Sequence, residues 1–102
     1  MVSIQGFDWD SGNWPKCGKH GLSQEEIESI FSQPFSLSSD LKHSNQEDRL
    51  LAIGRTSKGR FALVAFTLRG DKKRLLRPIS ARYMHQKEIL AYEPQTHSPP
   101  KN

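Results

Sequence analysis

Hydrophobic and polar residues change rhythm several times along this chain, and each rhythm predicts an element. In "GFDWD" the aromatics Phe7 and Trp9 alternate with Asp8 and Asp10, the period of a short strand or extended arm over residues 1–7 that its aromatics pin to the core. The following "SGNWPKCGK" holds two glycines and a proline, so it reads as a turn with at most one helical turn opening at Pro15. "LSQEEIESIF" then carries a capping box, Ser23 with Glu26, in which the hydroxyl accepts from the Glu26 N–H and the carboxylate returns to the Ser23 N–H. Leu22 and Ile27 take the staple positions, and Ile27, Ile30 and Phe31 form one stripe at i, i+3, i+4. The reading is a helix from Gln24 that stops before Pro34.

Beyond Pro34, "FSLS" alternates as a strand does and dissolves into "SDLKHSNQED", a polar, acidic stretch expected to be an exposed, mobile loop. Three strand-like runs follow, "RLLAIGR", "RFALVAFTL" and "KRLLRPISAR", separated by "TSKG" and "RGDK". Connections that short predict hairpins and an antiparallel meander. The middle run is apolar on both parities, which suits a central strand covered on both faces. "HQKEILAYE" predicts a last helix ending at Pro94, and residues 94–102, rich in proline with no apolar anchor, are expected to be a disordered tail. The order predicts a small single α+β domain over residues 1–93, with a mostly antiparallel sheet of about four to five strands, one or two helices before it and a C-terminal helix.

At 102 residues the chain has room for one modest core and no second lobe. With 34% hydrophobic and 25% charged residues it reads as ordinary globular protein. No window approaches the ~18 apolar residues of a membrane span, and no basic segment leads into an apolar run near Met1, so a cytoplasmic location is expected. The single Cys17 cannot form an internal disulfide. The net charge of +4 conceals an asymmetry: residues 1–48 hold three Lys/Arg against eight Asp/Glu, and residues 49–102 hold twelve against three. The basic half is the candidate for meeting phosphate or an acidic partner, the alternative being a solvated basic face.

The four histidines and one cysteine show none of the spacings of a dedicated metal site. The glycines make neither a phosphate loop nor a dinucleotide fingerprint, and no G-x-S-x-G elbow is present. What remains is a set of cations with a few proton carriers. Arg49, Arg55, Arg77 and Arg82 lie on the strands or at their ends, and Arg49, Leu51, Ile53 and Arg55 share one parity. Lys19 adds a point charge, His20 a group of the type that titrates near neutrality, and Glu47 or Glu25 a carboxylate. Arg69, Lys72, Lys73 and Arg74 crowd a hairpin tip, which is either a solvated turn or a phosphate tether. Such a set fits RNA cleavage without a cofactor, in which a base takes the proton of the ribose 2′-OH, that oxygen attacks the adjacent phosphate, and cations hold the growing negative charge. It fits equally an RNA- or partner-binding module without turnover. Trp9 and Trp14 read as core anchors rather than base platforms.

Read together, "FDWDSGNWPKCGKHGLSQEEIESIF", "DLKHSNQEDRLLAIGRTSKGRFALVAFT" and "RPISARYMHQKEILAYE" resemble the BrnT family of bacterial toxins over residues 7–93. The resemblance implies a RelE-like fold and a type II toxin that cleaves RNA and so arrests translation and growth. It also implies a BrnA-type antitoxin, a ribbon-helix-helix DNA-binding protein that neutralises the toxin, with operator DNA bound only through the complex. Carried onto matching positions, the family pattern points to Lys19 and His20 in "KHG", Arg55 in "IGR" and Arg82 in "ISAR" as the catalytic set, with Glu47 beside them. Arg49, Arg77, His43, Lys73 and Arg74 are the expected RNA contacts. An inactive toxin that survives only within a repressor complex is the remaining alternative.

Overall fold

The computed structural model describes residues 4–39 and 49–96. Five strands form one sheet, β1 (Gly6–Phe7), β2 (Phe35–Ser39), β3 (Leu50–Arg55), β4 (Phe61–Arg69) and β5 (Leu75–Tyr83), in the order β1-β5-β4-β3-β2. The helices are α1 (Gln24–Ser29), continued by a tighter turn over Ile30–Ser32, and α2 (Gln86–Thr96). β2 through β5 pair antiparallel, as the short connections predict, and only β1 runs parallel to its neighbour β5. The central place of β4 agrees with its two apolar parities.

α1 and the turn behind it cover one face of the sheet. Leu22, Ile27 and Ile30 pack there with Ala52, Ala62, Val64, Phe66, Leu76 and Ala81, all buried. The approach is close at Gly54, where a Cβ would lie 3.1 Å from Ile30 Cγ2 and 3.0 Å from Phe35 Cβ. Phe31 stacks edge-on against Phe35 and Phe66, and Trp9 against Trp14 at 5.4 Å. Both tryptophans pack on this core, in keeping with the anchoring role.

Two local expectations are corrected. The helix predicted to end at Pro94 runs on to Thr96. Pro94 falls in the last turn of the helix, where the hydrogen bond it forgoes and the carbonyl its ring crowds are those of Leu90, a residue 58% exposed. The capping box of α1 is half made: Ser23 Oγ accepts from the Glu26 N–H at 3.0 Å, but the Glu26 carboxylate turns inward to Tyr83 on β5. The expected acidic loop and the end of the tail, residues 40–48 and 97–102, lie outside the described residues, and so do His43 and Glu47.

Candidate functional site

The face of the sheet turned away from α1 carries the side chains of interest. The register sets Leu51 opposite Ala65 and Ala65 opposite Ser80, then Ile53 opposite Leu63 and Leu63 opposite Arg82. A bulge in β5 between the Phe66–Pro78 and Ala65–Ser80 pairs leaves Ile79 as the extra residue. That insertion shifts the parity of β5. It places Arg77, opposite Thr67, and Arg82, opposite Leu63, on one face although they are five residues apart. The result is a groove of about 620 Å³ with an apolar floor of Leu51, Leu63, Ala65 and Ile79 and a polar rim of Lys16, His20, Arg49, Ser80 and Arg82.

Lys16 and His20 reach this rim from the segment ahead of α1. Asn13, 3% exposed, anchors that segment: its amide nitrogen donates to the Asp8 and Pro78 carbonyls at 2.9 Å each, and its amide oxygen accepts from the Asp10 N–H at 2.8 Å. Cys17, in the 3-10 turn Lys16–Gly18, points into the core, and burial pushes its thiol pKa up. With Cys17 inward, Lys16 and His20 face the groove four residues apart, while Lys19 is exposed and does not line it. Gly21 follows at φ +102°, a left-handed conformation that lets the chain turn directly from His20 into the capped helix.

Glu26 ties that helix to β5. Its carboxylate, 1% exposed, accepts from the Tyr83 hydroxyl at 2.6 and 2.7 Å, and Lys58 Nζ lies 3.7 Å away. The hydrogen bond to the carboxylate, with burial, holds the Tyr83 proton more tightly than in an ordinary phenol. The bond joins α1, which follows closely on His20, to the strand that carries Arg82.

The arginines divide by their partners. Arg82 is held as a fork by Glu88, Nη1 to Oε1 and Nη2 to Oε2, both at 2.8 Å. Glu88 also accepts from the His85 backbone N–H at 2.7 Å, which makes it the cap of α2. The Arg82 guanidinium and then that N–H hold the Glu88 carboxyl down at about 2. Arg77, its side chain 14% exposed, is taken by Asp8 at 3.4 Å and Asp10 at 3.0 Å and does not line the groove; Arg77, and then the Gly12 N–H, lower the Asp10 pKa. Arg55 sits at the end of β3, its Nη1 donating to the Gly59 carbonyl at 3.0 Å and its Cζ 4.3 Å from the Phe61 ring centre. Lys73 and Arg74 lie at the β4–β5 connection, at the end of these strands opposite Arg82.

Of the residues expected from the sequence, His20, Arg49 and Arg82 come together, and Lys19, Arg55, Arg77, Lys73 and Arg74 stand apart from them. Lys16 and Ser80 are additions. The signal for Lys16 was its spacing of four from His20, one helical turn, across a turn-forming segment. Among the described residues no group of three or more His, Cys, Asp and Glu is placed to hold a metal ion, and no helix is long and apolar enough to cross a membrane.

Comparison with known proteins places residues 9–88 in a family described as the ribonuclease toxin BrnT of a type II toxin–antitoxin system. No curated protein matches the chain. The match runs from Trp9 through the groove residues Lys16, His20, Arg49, Ser80 and Arg82 to Glu88. A type II system pairs its toxin with an antitoxin protein, so the family implies such a partner. On this match the chain belongs to the BrnT family of type II toxin–antitoxin ribonuclease toxins.

Proposed function

We propose that the groove is the active site of a metal-independent endoribonuclease that cuts RNA and so arrests translation and growth. The observation that carries this reading is the meeting of His20, Lys16, Arg49 and Arg82 around one apolar-floored groove. In the proposed reaction a base takes the ribose 2′-OH proton, the O2′–P bond forms and the P–O5′ bond breaks. The 5′ oxygen recovers a proton, leaving a 2′,3′-cyclic phosphate and a 5′-hydroxyl end. His20 is the proton carrier on the described rim; Glu47, two residues before Arg49 in the chain, is the second candidate. Arg82 is the transition-state cation, because Glu88 fixes the plane of its guanidinium before substrate arrives. Lys16 and Arg49 take the flanking phosphates. Lys16 thus replaces Lys19, the cation expected from the family pattern.

The antitoxin is proposed to be of the BrnA type, a ribbon-helix-helix protein that covers the basic face and alone brings the complex to operator DNA. A basic face favours an acidic partner surface, and such charge complementarity speeds encounter. The site of action is proposed to be the cytoplasm, where RNA and ribosomes are found. Induced expression of His20→Ala in bacteria, without antitoxin, tests the assignment. Growth continues if His20 carries the proton, with the circular dichroism of the purified variant unchanged. Undiminished arrest removes His20 from the mechanism.

A further inference from the structure

The cations of the β3–β4 turn stand outside the groove and have no part in the reaction above. Arg55 and Arg60 meet Phe61, Met84, Gln86 and Ile89 around a second concavity of about 460 Å³, within the roughly 300–1,000 Å³ of small-ligand sites. Neither guanidinium has a carboxylate at ion-pair distance among the described residues, whereas Arg77 is paired with Asp8 and Asp10 and Arg82 with Glu88. Each lies on an aromatic face, Arg55 on Phe61 at 4.3 Å and Arg60 on Tyr83 at 3.6 Å. Stacking sets the plane of each guanidinium, and although Arg55 Nη1 donates to the Gly59 carbonyl, a guanidinium carries further N–H groups that suit anionic oxygens.

The rest of the wall is the apolar surface of Phe61, Met84 and Ile89, beside the exposed amide of Gln86. Guanidiniums suit a phosphate, an apolar wall suits the face of a base, and an amide that both donates and accepts suits its edge. An acidic peptide would use the cations and leave the other two features idle. The position relative to the groove agrees. Leu63 and Arg82 line the groove, while Phe61 and Met84, each two residues along the same chain segment, line the second concavity. Two residues of strand span about 7 Å, a step that one extended nucleotide covers.

We propose that this concavity is a second nucleotide subsite, which holds the neighbour of the nucleotide cut in the groove and reads its base through Gln86. The inference rests on the ribonuclease reading, and its test separates the two. The four nucleoside 5′-monophosphates are titrated into isotope-labelled, antitoxin-free protein and followed by backbone amide shifts, with inorganic phosphate and an oligoglutamate peptide as parallel probes. The subsite predicts shifts at Gly59, Phe61, Gln86 and Ile89, unequal affinities among the four bases, and at least fivefold weaker binding in Arg60→Ala. The exposed Gln86→Ala variant should level the affinities among bases. Shifts confined to the groove amides of Leu51, Ile79 and Ser80 would overturn the subsite and leave the ribonuclease reading standing. Shifts at the second concavity with oligoglutamate but with no nucleotide would make it a protein contact instead. Cleavage of total RNA by the same preparation is scored alongside: nucleotide binding at the subsite without any cleavage contradicts the ribonuclease reading and not the subsite.

Discussion

Tyr83 shows how one side chain ties α1 to β5. Its hydroxyl is the donor to a carboxylate that is 1% exposed, and Lys58, at 3.7 Å and mostly in solvent, is that carboxylate's ion-pair partner among the described residues. Tyr83→Phe therefore strips a buried acceptor of its donor and should cost about 1–3 kcal/mol in denaturant unfolding. Glu26→Gln keeps an oxygen for the same hydroxyl, and a loss clearly smaller than that of Tyr83→Phe is expected; equal losses would mean that packing, not the hydrogen bond, holds the two elements. Local spacing marks Ser23 as the start of the helix and predicts that the Glu26 carboxylate returns to the cap. The carboxylate instead meets a hydroxyl 57 residues away on β5, beyond anything a local pattern encodes. That Lys16 and not Lys19 lines the groove is the converse case: the cause is local, the inward turn of Cys17, but it depends on which face of a short 3-10 turn the core captures.

At the scale of elements, alternation and spacing carried most of the fold. The three basic-half strands, their hairpins and the central position of β4 were readable because an antiparallel meander joined by short turns is a local construction. The parallel pairing of β1 with β5 was not, since it joins distant segments, and neither was the bulge at Ile79, since hydrophobic alternation does not mark an extra residue inserted within a hairpin. The bulge decides which side chains share a face: simple parity would have put Arg77 and Arg82 on opposite faces. α2 supplies the test at this scale, since Glu88 caps it and forks Arg82. The folded-state pKa of Glu88 is depressed, so its contribution is present above the carboxylate's ordinary 4.5 and lost as pH falls through about 2. Because the pair is about one-third exposed, solvent screening limits the loss in Glu88→Gln at neutral pH to about 0.5–1 kcal/mol. Thermal melts of the two proteins should converge as pH is lowered through that window; a gap that persists at its acid end would show that the charge of Glu88 is not what stabilises α2.

Over the whole molecule, the acidic half supplies the carboxylates that occupy Arg77, while the groove draws Lys16 and His20 from that half and Arg49 and Arg82 from the basic one. RNA binding through this face should weaken with salt, and each phosphate contact contributes about 0.7 to the slope of log affinity against log salt for a single strand. Lys16→Ala should lower that slope by one contact and Lys19→Ala should leave it unchanged. A slope that responds to Lys19 and not to Lys16 would contradict the placement of the groove. The account rests most heavily on Arg82, and one experiment reaches it directly. Purified, antitoxin-free protein is incubated with total RNA in EDTA, beside an Arg82→Ala variant matched in circular dichroism. The account predicts fragments with 2′,3′-cyclic phosphate ends from the first and intact RNA from the second; intact RNA from both, with or without added ribosomes, or equal cleavage by both, would contradict it.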